Sequence, residues 1–213
     1  MSDASVAIEG VGRVFGRRRV LSGVNAEIGF GRTLVVTGAN GSGKSTLLRI
    51  VAGVLAPTEG RVRVTVGGRQ LDRAGLRSEI GYAAPDLVLY ADLTAVENLC
   101  FFAALRGMRL DTPALRALLS RVGLLGRGRD LVSSYSSGMR QRLKIAFALL
   151  HDPTVLLLDE PTANLDAEGA AMARQVVEDH KARGIVIVAT NEPEEAAWAD
   201  RLVRLGESDG DGA

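Results

Sequence analysis

Eight consecutive residues, Gly38-Ala39-Asn40-Gly41-Ser42-Gly43-Lys44-Ser45, set a lysine and a hydroxyl directly behind a glycine-rich stretch in the pattern G-x-x-x-x-G-K-[ST]. The chemistry that suits this spacing is phosphate binding. The glycines let successive backbone N–H groups converge on phosphate oxygens, and Lys44 reaches the terminal phosphates. Ser45, followed by Thr46, can ligate the Mg²⁺ that accompanies them. The competing reading is a glycine-rich turn with a chance lysine. The flanks argue against it: Thr33–Thr37 before the motif reads as a strand, and Lys44–Ala52 after it carries Leu47, Leu48, Ile50 and Val51 as a buried helix does.

A second group is Val155-Leu156-Leu157-Leu158-Asp159-Glu160, an apolar run that ends in two carboxylates. Strand C-termini of a parallel sheet form its ligand edge, so Asp159 can reach the Mg²⁺ shell while Glu160 faces a terminal phosphate and orients or deprotonates water. Alone, the two acids would read as caps of the turn at Pro161. Beside a phosphate loop the catalytic reading is the stronger one.

These groups need a sheet to hold them. Ser5–Glu9, Val24–Ile28, Thr33–Thr37 and Arg61–Val66 are short β-branched runs broken by glycine. Val155–Leu158 and Ile185–Ala189 are continuous apolar runs of the kind buried on both faces of a parallel sheet, with Ala167–Arg183 as the crossover helix between them. From Leu93 to Leu150 the spacing is helical, with Thr94 and Glu97 forming a capping box and Asp111 or Thr112 opening a further helix before Pro113. The acidic, glycine-containing end, Gly206–Ala213, reads as a frayed tail. Neither internal repeats nor a low-complexity linker divide the 213 residues, so one domain with two lobes is expected.

Composition narrows the function. With 46% hydrophobic residues the chain can bury a core, and 26 basic against 25 acidic side chains leave no strongly basic face for nucleic acid. Cys100 is the single cysteine, so no intrachain disulfide can form; within Leu99-Cys100-Phe101-Phe102 it reads as a small buried hydrophobe. The N-terminus lacks a signal-peptide pattern, and no apolar run approaches the roughly 20 residues that span a bilayer.

A third group is specific. Tyr135-Ser136-Ser137-Gly138-Met139-Arg140-Gln141-Arg142-Leu143, directly before a helix running to Leu150, resembles the signature motif of ATP-binding cassette proteins. With the P-loop upstream and the Asp-Glu strand downstream, the resemblance covers nearly the whole chain. It implies an α/β fold: a P-loop NTPase core with a parallel sheet, an antiparallel β lobe and a helical subdomain at about 86–150, in one domain over 1–206 with a tail at 207–213. It implies ATP and Mg²⁺ as ligands, with Ser136 and Gly138 clasping the γ-phosphate held by the opposite subunit of a dimer. Thr162-Ala163-Asn164-Leu165-Asp166 resembles the D-loop, which touches the partner subunit, so Asp166 joins the nucleotide-binding set. Phe15 stands where the family has an aromatic that stacks on adenine; packing in the β-lobe core is the alternative, and Gly12, Gly16 and the Arg17-Arg18-Arg19 run favour an exposed turn.

Two positions depart from the family pattern. Pro85 in Ile80-Gly81-Tyr82-Ala83-Ala84-Pro85-Asp86 stands at the expected Q-loop glutamine, and Asn191 in Ile187-Val188-Ala189-Thr190-Asn191 replaces the switch histidine. Asn191 is therefore the catalytic candidate beside Glu160 and Lys44, and the rate of hydrolysis is left open. His151 and His180 fall elsewhere and are expected to be surface or capping residues. The resemblance implies the ATPase subunit of a transporter, peripheral on the cytoplasmic face of the membrane. Its partners would be an integral-membrane subunit, met by the region Asp86–Leu105 and best by Leu87–Tyr90, and a second ATP-binding subunit. No nucleic acid is expected. Size and the short ending look like exporter-type subunits, such as the small heme exporters of cytochrome c biogenesis; other two-subunit exporters fit equally. A DNA- or ribosome-acting cassette ATPase is the rival class: the DNA-acting kind is disfavoured because no heptad run lies between P-loop and signature, and the ribosome-acting kind because it usually carries two such domains where this sequence has one.

Overall fold

The computed structural model describes residues 3–206; the tail expected at 207–213 lies outside the described residues. Strands β1 (Ala4–Phe15) and β2 (Arg18–Gly29) form a long hairpin closed at Gly16 and Arg17. Gly16 has φ +57°, which glycine adopts without a Cβ penalty. Gly12, expected in an exposed turn, is instead buried in β1 opposite Glu59, so the turn is narrower than the sequence suggests. Strand β3 (Thr33–Thr37) runs through the glycine-rich loop into helix α1 (Lys44–Val51), and β4 (Glu59–Val66) and β5 (Arg69–Gln70) complete an antiparallel sheet in the order β2-β1-β4-β5.

The chain then passes through α2 (Arg73–Glu79) into β6 (Ile80–Ala83) and the helices α3 (Ala95–Leu105), α4 (Thr112–Arg121) and α5 (Ser137–Leu149). It returns as β7 (Val155–Asp159), α6 (Ala167–Lys181), β8 (Ile185–Thr190), α7 (Pro193–Ala196) and β9 (Arg201–Arg204). Strands β6-β7-β8-β3-β9, in that order, make a parallel sheet. The helix starts have local causes. The Thr94 hydroxyl accepts from the Glu97 N–H while the Glu97 carboxylate accepts from the Thr94 N–H, and Asp111 caps α4; each such cap stabilises by about 1 kcal/mol.

The parallel strands explain why their sequences show no polar alternation: both faces are covered. Leu156, Leu158, Val186 and Val188 point into a core shared with α3, α4, α5 and α6. Val155, Leu157, Ile185 and Ile187 point the other way, into a core shared with α1 and the antiparallel sheet. Burying each such side chain is worth about 1.5–3 kcal/mol, so the sheet is a rigid mount for whatever its strand ends carry.

Two single-residue expectations change. His180, expected at the surface or in a cap, is fully buried, because Ala173, Val176, Val177 and His180 share the apolar face of α6. Cys100 is only partly buried, against the core that α3 helps to build.

Candidate functional site

The carboxyl ends of β3, β7 and β8 converge on one edge of the parallel sheet, with the loop 38–43 wrapped over the start of α1. Glycine is required in that loop for two separate reasons. At Gly38, φ is +152° and a Cβ would stand 2.6 Å from both the Leu205 carbonyl and Ser42 Oγ. At Gly43, φ is +103° and a Cβ would stand 2.7 Å from Leu21 Cδ2. Lys44, only 6% exposed, donates from Nζ to the Gly38 and Ala39 carbonyls at 2.8 and 3.3 Å, and lies 3.5 Å from Glu160 Oε1. A cleft of about 390 Å³ opens over these groups, lined by Arg18, Asn40, Gly41, Lys44, Ser45 and Thr46. Positive charge and a helix N-terminus at one concave surface suit a polyphosphate.

Strand β7 delivers the acids. Asp159 is 1% exposed; its Oδ2 accepts from the Tyr82 hydroxyl at 3.1 Å, and its Oδ1 is buried with no hydrogen-bond partner among the described residues. Burial pushes the Asp159 carboxyl above its ordinary pKa, and the Ser45 hydroxyl facing it pulls the other way. An orphaned carboxylate oxygen beside a serine hydroxyl is a hard-oxygen donor set of the kind Mg²⁺ takes. Among the described residues no three His, Cys, Asp or Glu side chains gather to hold a metal by themselves.

Glu160 has φ +50°, a conformation that costs a glutamate about 1 kcal/mol. Neighbours impose it. Its N–H donates to the Ala189 carbonyl of β8 at 2.8 Å, and Gln141 Nε2 donates to the carbonyls of Glu160 and Pro161 at 3.0 and 3.3 Å. Burial raises the Glu160 carboxyl, while the Lys44 charge and the Asn191 backbone N–H lower it. A carboxylate moved up from its usual range, at a cleft wall next to a phosphate loop, is suited to accept a proton from water.

The family model described as "ABC transporter" matches residues 21–163, which contain the loop, Asp159 and Glu160. This chain belongs to the ABC transporter family. It is 38% identical over 191 residues to the cytochrome c biogenesis ATP-binding export protein CcmA of Methylococcus capsulatus, covering 90% of this chain and 92% of that protein. It is 34% identical over 184 residues to the lantibiotic transport ATP-binding protein SrtF of Streptococcus pyogenes, covering 86% and 78%. Among solved structures it is similar to an ATP-binding cassette dimer in a post-hydrolysis state with ADP and Pi, at TM-score 0.82 and 26% identity over 94% of each chain. The chain is thus an ATP-binding and ATP-hydrolysing subunit of a transporter, and its mixed α/β architecture is that of the family.

The remaining candidates of this ABC ATPase do not all gather at one place. Asn40, Glu160, Asp166 and Asn191 line one open cleft of about 1060 Å³ with Thr162 and Glu195. Ser136 is exposed and caps α5 by accepting from the Met139 N–H at 3.1 Å; behind it, a Cβ on Gly138 would stand 2.9 Å from the Asn164 carbonyl, so the signature helix and the D-loop touch. Asp166 caps α6 and meets Arg142 at 3.1 Å. Phe15 is 44% exposed, outside both cores and outside the lining of the phosphate cleft, with the Arg13 guanidinium 4.4 Å from its ring centroid. Pro85 is exposed and its carbonyl accepts from Lys144, so nothing at that position reaches the phosphate cleft.

Sequence reading missed Tyr82, Gln141 and Glu195 as supports of the site. Tyr82 stands in the apolar stretch before Pro85, where a lone hydroxyl is the signal. Gln141 is the polar residue on the otherwise apolar face of α5, with Leu143, Ile145 and Ala148. Glu195 had no signal, since the three glutamates around Pro193 look alike until the fold buries one.

Proposed function

We propose that this ABC ATPase is the energy-coupling subunit of an exporter, working as a dimer on the cytoplasmic face of the membrane against an integral-membrane subunit. The near end-to-end match to an export ATP-binding protein carries this reading. In it, the 38–43 backbone and Lys44 hold the β- and γ-phosphates, Ser45 and Asp159 hold Mg²⁺, and Phe15 stacks on adenine. When bound, Mg²⁺ neutralises charge on the phosphate oxygens. Glu160 accepts a proton from water as its oxygen attacks the terminal phosphorus, and ADP and inorganic phosphate leave. Ser136, Gly138 and Asp166 face the nucleotide of the second subunit. Asn191 donates at most a neutral hydrogen bond, so turnover is slow until the partner closes the site.

A surface suits the membrane subunit. Val54 and Val88 are exposed, Val88 by 75%, at a groove of about 480 Å³ also lined by Leu76, Tyr82, Leu87 and Phe147, and Tyr90 and Leu105 are exposed as well. Among the described residues no helix is long and apolar enough to cross a membrane. The test is purification from detergent-solubilised membranes of the parent and of Val88→Glu. A polytopic membrane protein recovered with the parent and lost with the variant supports the reading; recovery with ribosomes or DNA overturns it.

A further inference from the structure

The turn after β8 carries a carboxylate that the hydrolytic reading leaves without a role. Glu195, in the short helix α7, is 2% exposed. Its Oε1 accepts from the Thr162 N–H at 3.1 Å and also from the Thr162 hydroxyl. Its Oε2 is buried with no hydrogen-bond partner among the described residues, and Thr190, the fully buried last residue of β8, is beside it. Thr162 lies two residues beyond Glu160, and Glu195 lies four beyond Asn191.

Both strands that end in the hydrolytic site are therefore tied twice. Inside the sheet edge, the Glu160 N–H bonds to Ala189 and the Asn191 N–H faces the Glu160 carboxylate. Just beyond the edge, Glu195 ties Thr162 back to the β8 exit. The second tie has work to do because Glu160 is in a left-handed conformation that glutamate does not favour, and because Asn191 turns into α7 through the Glu192 N–H bonded to Thr190 Oγ1 at 2.8 Å. Without Glu195, only the bonds inside the sheet edge hold the 161–163 turn to the β8 exit, and the relation of Glu160 to the Asn191 backbone loosens.

We propose that Glu195 is a positioning residue for ATP hydrolysis, clamping Thr162 to the β8 exit so that Glu160 and the Asn191 backbone N–H share one frame. This rests on the reading of Glu160 as the base. It also explains how a site with an asparagine at the switch position keeps its base aligned: the support comes from backbone and from Glu195, not from the Asn191 side chain.

The experiment compares steady-state ATPase, affinity for a fluorescent ATP analogue and thermal unfolding for the parent, Glu195→Ala, Glu195→Gln and Glu160→Gln. Glu195→Ala is expected to lower kcat about 30-fold with nucleotide affinity within about twofold of the parent. Glu195→Gln, whose amide oxygen can accept both Thr162 donors, is expected to recover kcat to within about threefold. A parental kcat in Glu195→Ala overturns the inference, as does a Gln variant as slow as the Ala variant, or an affinity loss that accounts for the rate loss. If Glu160→Gln turns over like the parent, the base reading fails and takes this inference with it. If Glu160→Gln is inactive while Glu195→Ala is parental, only the positioning role falls. Should Glu195→Ala not fold, Thr162→Val removes the hydroxyl donor at nearly constant volume. It is then expected to lower kcat about fivefold at unchanged affinity, and a parental kcat overturns the inference.

Discussion

The two ends of the parallel sheet bury polar groups in different ways. At the carboxyl end Lys44, Asp159 and Glu160 converge from a loop and a strand, opposite charges meet at 3.5 Å, and two clefts open over them. At the amino end His180 is buried with neither ring nitrogen hydrogen-bonded among the described residues, and His151 bonds only the Ile80 carbonyl, at 3.1 Å. Burial, with neighbouring arginines, pushes both histidines down to about 4. Neither lines the clefts at the other end. Burial and a displaced pKa are common to both ends; convergence on a cleft belongs to one. Convergence is therefore the sign of a working site.

The sharpest break in that comparison is Lys44→Ala. It removes the cation from the converging set and is expected to weaken ATP binding by more than about 100-fold in equilibrium titration, with the circular dichroism of the folded protein unchanged. Unchanged affinity would remove Lys44 from the phosphate site. Next in size, Glu160→Gln keeps shape and leaves nucleotide affinity near parental, but is expected to lower turnover by about 10²–10³. A parental rate would show that another group activates water.

Asn191 sharpens the comparison within the working end. Asn191→His supplies a longer side chain that can carry charge and is expected to raise ATPase several-fold, while Asn191→Ala stays near the parent because the backbone N–H facing Glu160 is kept. Three indistinguishable rates would make the side chain structural only. The smallest effect on activity belongs to the other end. His180→Leu is expected to leave ATPase within about twofold, and to change only stability against pH. Because the folded pKa of His180 is depressed, its contribution is present above about 6.5 and is lost as pH falls toward about 4, up to about 3 kcal/mol. Urea unfolding at pH 7 and pH 5 should therefore show a smaller difference for His180→Leu than for the parent.

What the sequence disclosed follows from where side chains are obliged to sit. The strands β7 and β8, buried on both faces, had to be continuous apolar runs, and Gly38 and Gly43 had no alternative residue, so the α/β class and the phosphate loop were legible. The capping box at Thr94 and Glu97 was legible because capping is local. Strand β9, Arg-Leu-Val-Arg, was not: among the described residues it pairs along one side only, and it is mostly exposed, so it carries no apolar run. Helix α2 has no buried residue and thus no periodic face. The bulged register that extends β1 to Phe15, and the pairing of Glu195 with Thr162, are long-range facts that no local pattern encodes.

In the proposed dimer, half of each site is built within one chain and the other half, Ser136 with Gly138, serves the nucleotide of a second. Light scattering of Glu160→Gln with Mg-ATP, beside Glu160→Gln carrying Ser136→Arg, tests it most directly. The mass is expected to double with Mg-ATP in the first protein and to stay monomeric in the second, while both bind nucleotide. A monomer at every nucleotide concentration in Glu160→Gln, or a dimer indifferent to arginine at 136, would contradict it.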